Sequence, residues 1–266
     1  VVTANGDSTL DETGLASAGT VTGHVSVDFK GDGPGVVDAT GSFAAGGSLK
    51  GGVLSSGGVA VTVTQSGHVY TGKAGTETVF TLTVNSDGTY SYTQVKPLDH
   101  ADGTQANDVI NLTFGFKGTD ADGDSVNGTI VVHVQDDAPV AVDDVIALAT
   151  APGSVTGNVI SNDTLGQDAP THVTSVSFGA TVLSVPATGT VTLVGAYGTL
   201  TIGANGAYTY TGHGTAVGTD AFTYTITDAD GDSSAATLRA TVSDIDEQPV
   251  VTANGDSTLD ETGLAS

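Results

Sequence analysis

The heptapeptide Thr-Asp-Ala-Asp-Gly-Asp-Ser stands at positions 119–125 and again at 227–233, each time between runs of alternating apolar and polar residues. Three carboxylates within five residues repel one another across a turn only a few ångströms wide. A chain that carries this string twice, at the same point of its pattern, needs tight turns between strands and something positive to face them. Asp120, Asp122 and Asp124, like Asp228, Asp230 and Asp232, have the one-three-five spacing that opens an EF-hand loop. The likeness ends there. Glycine occupies the fourth place (Gly123, Gly231) rather than the sixth, and the twelfth place holds Val131 or Arg239 rather than glutamate. What remains is an inter-strand turn whose carboxylates suit a hard dication. A merely solvated Asp-Gly turn is the plain alternative. Against it stands the recurrence, followed each time by a further acidic pair, Asp136 and Asp137 or Asp244 and Asp246.

The surrounding pattern reads as strands. LTVNSDGTYSYT from Leu82 aligns with LTIGANGAYTYT from Leu200, and in each an Asp-Gly or Asn-Gly pair supplies the positive φ of a hairpin turn. Further strands are expected from Val59, Val109, Gly128, His172, Asp220 and Ala236, where β-branched residues alternate with polar ones. No segment has a helical period. The expected fold is all-β, built of antiparallel sandwiches.

Two levels of repetition organise the chain. VVTANGDSTLDETGLAS opens it at Val1 and recurs at Val250, a period of 249 residues, which is the mark of a tandem array. Within that period the two halves echo each other, and the first is longer by an insertion within 97–109. Proline-marked acidic junctions at 134–144 and 242–256 place one domain at 1–138, a second at 139–249 and the start of a third at 250–266.

Composition decides what can hold such domains together. There is no cysteine, so neither a disulfide nor a thiolate metal site is available. Acidic residues number 30 against 6 basic ones, for a net charge of −24. Nucleic acid is excluded as a partner, and no apolar run is long enough for membrane insertion. Calcium, several ions of it, is the expected fastener, and because Ca²⁺ takes six to eight oxygens each turn needs donors from elsewhere. The candidates are Asp136, Asp137, Asp143 and Asp144 at the first junction and Asp244, Asp246 and Glu247 at the second. Asp7, Asp11 and Glu12 stand at the front, with Asp256, Asp260 and Glu261 as their counterparts in the restarting repeat. Asn162, Asp163 and Asp168 form another group; Asp28, Asp32 and Asp38 form one for which a surface loop is an equal reading.

GNVISNDTLGQDA, GAYTYT, TITDADGDSSAATLRATVSD and the DDAPVAVDD junction resemble the cadherin-like, calcium-binding repeats of giant bacterial RTX adhesins exported by type I secretion. LDETGL, VDFKGDG, KPLDHADG and FKGTDADGDSVNGTIVVHVQDDAP are similar to the longer repeat that often alternates with them. The resemblance implies tandem Ig-like or cadherin-like domains end to end, a monomeric array whose partners are its own neighbouring repeats. It also implies a bacterial cell-surface location and a spacer role in adhesion or biofilm formation, with calcium at the junctions. The glycine-rich nonapeptide of RTX β-rolls is absent, so the likeness is to the extension region.

Two other functions compete with the spacer. Catalysis by paired carboxylates needs a partly apolar cleft, whereas these acids lie in Gly-rich turns, and the six histidines form no HExxH spacing. No catalytic residue is assigned. A module that itself binds glycan or protein is the stronger rival, yet the tyrosines it would need stand mostly in alternating strand positions that favour core packing.

Overall fold

The computed structural model describes residues 1–15, 18–31, 33–101, 108–149, 153–214 and 217–243. Among them the only helical pieces are three short 3₁₀ turns, Glu12–Gly14, Lys50–Gly52 and Val159–Ser161. The rest of the regular structure is strand, as the alternation of β-branched and polar residues requires. His172–Phe178 and Val59–Ser66 begin where the sequence reading places them.

Two hydrophobic clusters form, each between two sheets. In the first unit one sheet runs, edge to edge, through Gly19–His24, Thr89–Gln94, Glu77–Val84, Val69–Ala74, Val59–Ser66 and Ser55–Ser56. The facing sheet runs Gly6–Asp11, Ser125–Gln135, Val109–Thr119 and Val36–Gly47. Phe114 anchors the space between them, its ring 5.1 Å from Phe43 and 5.2 Å from Tyr70. In the second unit the sheets are Asp144–Leu148, Ser233–Val242, Gly218–Thr227, His172–Phe178 and Thr181–Ser184, against Ser154–Asn158, Ala207–Gly212, Gly198–Gly203 and Thr190–Val194. Tyr210, Phe222, Tyr224 and Ile226 fill that core. Each such side chain contributes about 1.5–3 kcal/mol on burial.

This is an Ig- and cadherin-like β-sandwich architecture, used twice. Both units share one departure from pure antiparallel pairing. A strand near the start of each lies parallel to its last strand: Gly6–Asp11 beside Ser125–Gln135, and Asp144–Leu148 beside Ser233–Val242. The chain then crosses to the opposite sheet, so the entry segment ties both layers together.

Aromatic rings are accommodated by missing side chains across the ladder. Gly23, Gly72, Gly128 and Gly157 stand directly opposite Tyr90, Phe80, Phe116 and Tyr208, whose rings occupy the space a Cβ would need. The two hairpins read from sequence are present, with Gly88 at φ 87° and Gly206 at φ 78°.

Candidate metal centre

Both aspartate strings close the same kind of turn. Thr119 pairs with Ser125 and Thr227 with Ser233, leaving five residues to reverse the chain. The Asp120 amide donates to Asp124 O at 3.0 Å, and that of Asp228 to Asp232 O at 3.1 Å. Oδ1 of the first aspartate accepts from the Gly123 amide at 3.1 Å or the Gly231 amide at 3.0 Å. Gly123 and Gly231 sit at φ 102° and 115°, backbone that a side chain would strain.

Their surroundings differ. Asp122 and Asp124 are exposed and Asp120 half-buried, beside a hollow that Asp28, Phe29 and Lys30 help to line. The neighbouring Asp120 carboxylate raises the Asp122 carboxyl above its ordinary range. In contrast Asp228, Asp230 and Asp232 are only 5%, 3% and 1% exposed.

What covers the second turn is delivered by sheet register. The parallel pair ends with Gln135 opposite Asp11, so the next residues, Asp136 and Glu12, leave from the same end of the first unit. Leu49 bridges His100, which brings that imidazole to the same place. From the second unit, His172 pairs with Thr227, holding the preceding segment against the turn, and the Ala229 amide donates to Asp168 O at 3.0 Å. Asp137 Oδ2 accepts from the Gln167 amide at 2.9 Å, and Lys50 Nζ donates to Asp230 O at 2.7 Å. The Lys50 bond joins the two sandwiches.

The result is a buried acidic centre. Asp136, Asp137 and Asp168 each place an oxygen within 4.8 Å of the others, and so do Glu12, His100 and Asp136 with one donor atom apiece. Both oxygens of Asp136 and of Asp230, Oδ1 of Asp137 and Oδ2 of Asp168 and Asp228 accept no hydrogen bond. Burial is the main cause pushing the Asp136 carboxyl up to about 10, and Asp230 and Asp232 add to it. Burial and then Asp230 take Asp168 to about 9. Asp228 reaches about 8 through burial and the adjacent Asp230, offset by the amides of Gly231 and Asp232. Burial raises Asp137 and Glu12 too, the latter opposed by His100. Uncompensated buried carboxylates cost several kcal/mol each. An oxygen-rich, anionic hollow with free lone pairs is what a hard dication requires, so the donor set fits one.

A second acidic group lies within the second unit. Val142 O, Val159 O, Asp144 Oδ2 and Asp163 Oδ1 surround the Tyr224 hydroxyl at 2.9, 3.2, 3.1 and 3.1 Å. One hydroxyl hydrogen serves one acceptor at a time, which leaves oxygen lone pairs over. Burial lifts Asp144 to about 6, with Tyr224 pulling the other way, and it raises Asp163. Asn162 Nδ2 donates to Val142 O and Asp143 O, and Asp143 Oδ1 accepts from the Thr237 amide.

The remaining candidates are dispersed. Asp7 faces His133 at 3.1 Å, Asp11 accepts from the Thr13 amide, Asp28 pairs with Lys30 and Asp38 with His68. Asp32, Asp244, Asp246, Glu247, Asp256, Asp260 and Glu261 lie outside the described residues. The contribution of His100 was not foreseen. Its partner Glu12 is 88 residues away, and no spacing rule spans that distance.

Residues 136–244 match the profile of the bacterial cadherin-like domain, and residues 7–133 that of a domain of unknown function (DUF5801). Over 136–244 the second unit is similar to a cadherin-like bacterial repeat. Among solved structures the chain is similar to mouse Cadherin-23 EC22-24, at 13% identity over 79% of this chain and 65% of that one, TM-score 0.31. It is also similar to zebrafish RET cadherin-like domains 1 to 4 (10% identity, 91% and 51% covered, TM-score 0.29). The bradyzoite-specific antigen BSR4 of Toxoplasma gondii is a third (13% identity, 92% of each chain, TM-score 0.33). The chain spans less than two thirds of the first two. No curated protein matches its sequence. Among the described residues no helix is long and apolar enough to cross a membrane.

Proposed function

We propose that the chain is a calcium-stiffened spacer segment of a large bacterial surface adhesin, exported by type I secretion, that holds a ligand-binding region away from the cell. Its divisions fall at 1–138, 139–249 and 250–266, and its partners are neighbouring repeats of the same chain. The observation that carries this reading is the junction itself. Glu12, Asp136 and Asp137 from one unit face Asp168, Asp228 and Asp230 from the next, buried and with oxygens that accept no hydrogen bond. Ca²⁺ held by these residues turns mutual repulsion into cross-unit attraction and a hinge into a rod.

In an array the Asp120, Asp122 and Asp124 turn, at the corresponding pole of the first unit, meets the end of the preceding repeat and is covered in the same way. Asp144, Asp163 and Asn162 are the ligands proposed for a further ion beside Tyr224. Extracellular calcium modules have affinities of about 10⁻⁴ to 10⁻³ M, so the sites fill outside the cell and not in the cytosol. Each site filled a hundredfold above its Kd adds about 2.7 kcal/mol to the fold.

The rival reading, a module that itself binds glycan, finds its aromatics spent in the cores, with Tyr70, Tyr90, Tyr92, Tyr208, Tyr210 and Tyr224 all buried. Small-angle scattering and thermal melting, with millimolar calcium and then with chelator, test the spacer. An ion-independent maximum dimension together with an unchanged melting curve would overturn it.

A further inference from the structure

The junction holds one donor that calcium does not explain. His100 is fully buried among carboxylates, and neither ring nitrogen makes a hydrogen bond. Its Nε2 lies 3.4 Å from Glu12 Oε2. Glu12 is oriented through its other oxygen, Oε1, which accepts from the Leu98 amide at 3.0 Å and from Gln94 Nε2. Gln94 is in turn held by the Tyr92 hydroxyl at 2.6 Å and by Lys96 O. This ordered chain of bonds leaves Oε2 to face the imidazole, beside Asp136, whose two oxygens are buried and accept no hydrogen bond. One donor atom from each of the three lies within 4.8 Å of the others, and Asp136 also belongs to the all-oxygen group with Asp137 and Asp168.

We propose that Glu12, His100 and Asp136 form a second cation position, of mixed nitrogen and oxygen donors, which takes a first-row transition dication while the neighbouring aspartates take calcium. The reasoning is one of donor chemistry. Calcium is bound by oxygens, and an imidazole nitrogen in the shell lowers its affinity while raising that of manganese or zinc. Hydrogen bonds that fix the ligating carboxylate support such a site in the way outer partners do elsewhere. The proposal rests on the reading of the junction as a cation centre but not on calcium being its stiffening ion.

The test uses the full chain, stripped with chelator, saturated with Ca²⁺ and then given one equivalent of Mn²⁺. Electron spin-echo envelope modulation of the bound Mn²⁺ is expected to show one directly coordinated ¹⁴N. His100→Gln should abolish that modulation and weaken Mn²⁺ binding at least about tenfold, with the calcium-dependent rise in melting retained. The unsubstituted protein answers alone if the variant fails to fold, and Glu12→Gln provides a second variant, expected to weaken Mn²⁺ binding as well. Mn²⁺ bound without nitrogen modulation, or fully displaced by calcium, overturns the proposal and leaves His100 as a neighbour of Glu12. A nitrogen signal with no calcium effect on melting instead overturns the spacer reading and leaves this one standing.

Discussion

Lys50 Nζ donates to the main-chain oxygen of Asp230 at 2.7 Å and to that of Ala229 at 3.3 Å, a contact between residues 180 positions apart. The first unit thus sets a resident cation on the aspartate turn of the second. Both carboxylate oxygens of Asp230 accept no hydrogen bond and stay open to an ion. Without divalent cations this lysine is a principal positive tether across the junction. Lys50→Met keeps the aliphatic stem and removes the charge. In chelator it is expected to cost about 1.5–3 kcal/mol, the worth of a charge-assisted hydrogen bond, and much less in saturating calcium. Chemical denaturation in both conditions measures the difference.

Asp136 should respond with opposite signs in the two conditions. It is 1% exposed, with both oxygens unbonded and other carboxylates around it. Asp136→Asn puts a neutral amide where the metal-free fold holds the carboxyl protonated, so the chelated protein should be as stable as before or more so. The same change removes an anionic ligand, so the rise in melting temperature on adding calcium should shrink by several degrees, as loss of about 1 kcal/mol would produce. Asp230→Ala should also cut the calcium response. Asp122→Ala, on the exposed first turn, should leave both curves in place. Equal effects of Asp122→Ala and Asp230→Ala would mean that burial at the junction is irrelevant to binding.

The twin turns themselves were legible because their spacing is local. Asp-Ala-Asp-Gly-Asp defines the turn, glycine marks its left-handed residue, and alternation on either side marks the strands. The unequal fate of the twins was not legible. Asp122 and Asp230 have the same neighbours in sequence, and only the packing of another unit's end distinguishes them. Glu12 and Asp136 were named as donors, but their meeting depends on a parallel register between strands more than a hundred residues apart. His100 was passed over for the same reason. Sequence spacing reports ligands that share a strand or loop, whereas this centre draws on ends of strands that a sheet brings together.

Asp220 is a buried acid of a different kind from those at the junction. It is fully buried, yet its carboxylate accepts from the amides of Ala196, Tyr197 and Gly198 and from the Tyr210 hydroxyl. Those donors saturate it, which is why a carboxylate is tolerated there. Asp220→Ala strands them at about 1–3 kcal/mol per unpaired group. The second unit should melt far earlier in calcium and in chelator alike. A loss confined to calcium would instead make Asp220 part of a cation site.

The protonation state of the junction yields the most discriminating expectation. Asp136, Asp168 and Asp228 are raised to about 10, 9 and 8 in the folded chain, chiefly by burial. In the unfolded chain the same carboxyls lose their protons near pH 4. Between those limits the metal-free fold binds more protons than the unfolded chain, and stability therefore falls as pH rises. The stabilisation is complete below about pH 4 and is lost progressively toward pH 8–10. Chelated protein should melt at a higher temperature at pH 5 than at pH 8. Calcium reverses the trend, because at pH 5 it must displace protons from the same oxygens, while at pH 8 it competes with far fewer. The increment in melting temperature due to calcium should accordingly grow from pH 5 to pH 8. Scanning calorimetry at both values, with calcium and with chelator, reads all four quantities. A chelated protein that grows more stable from pH 5 to pH 8 would show that these carboxylates are already compensated without an ion, and the electrostatic basis of the junction would fail.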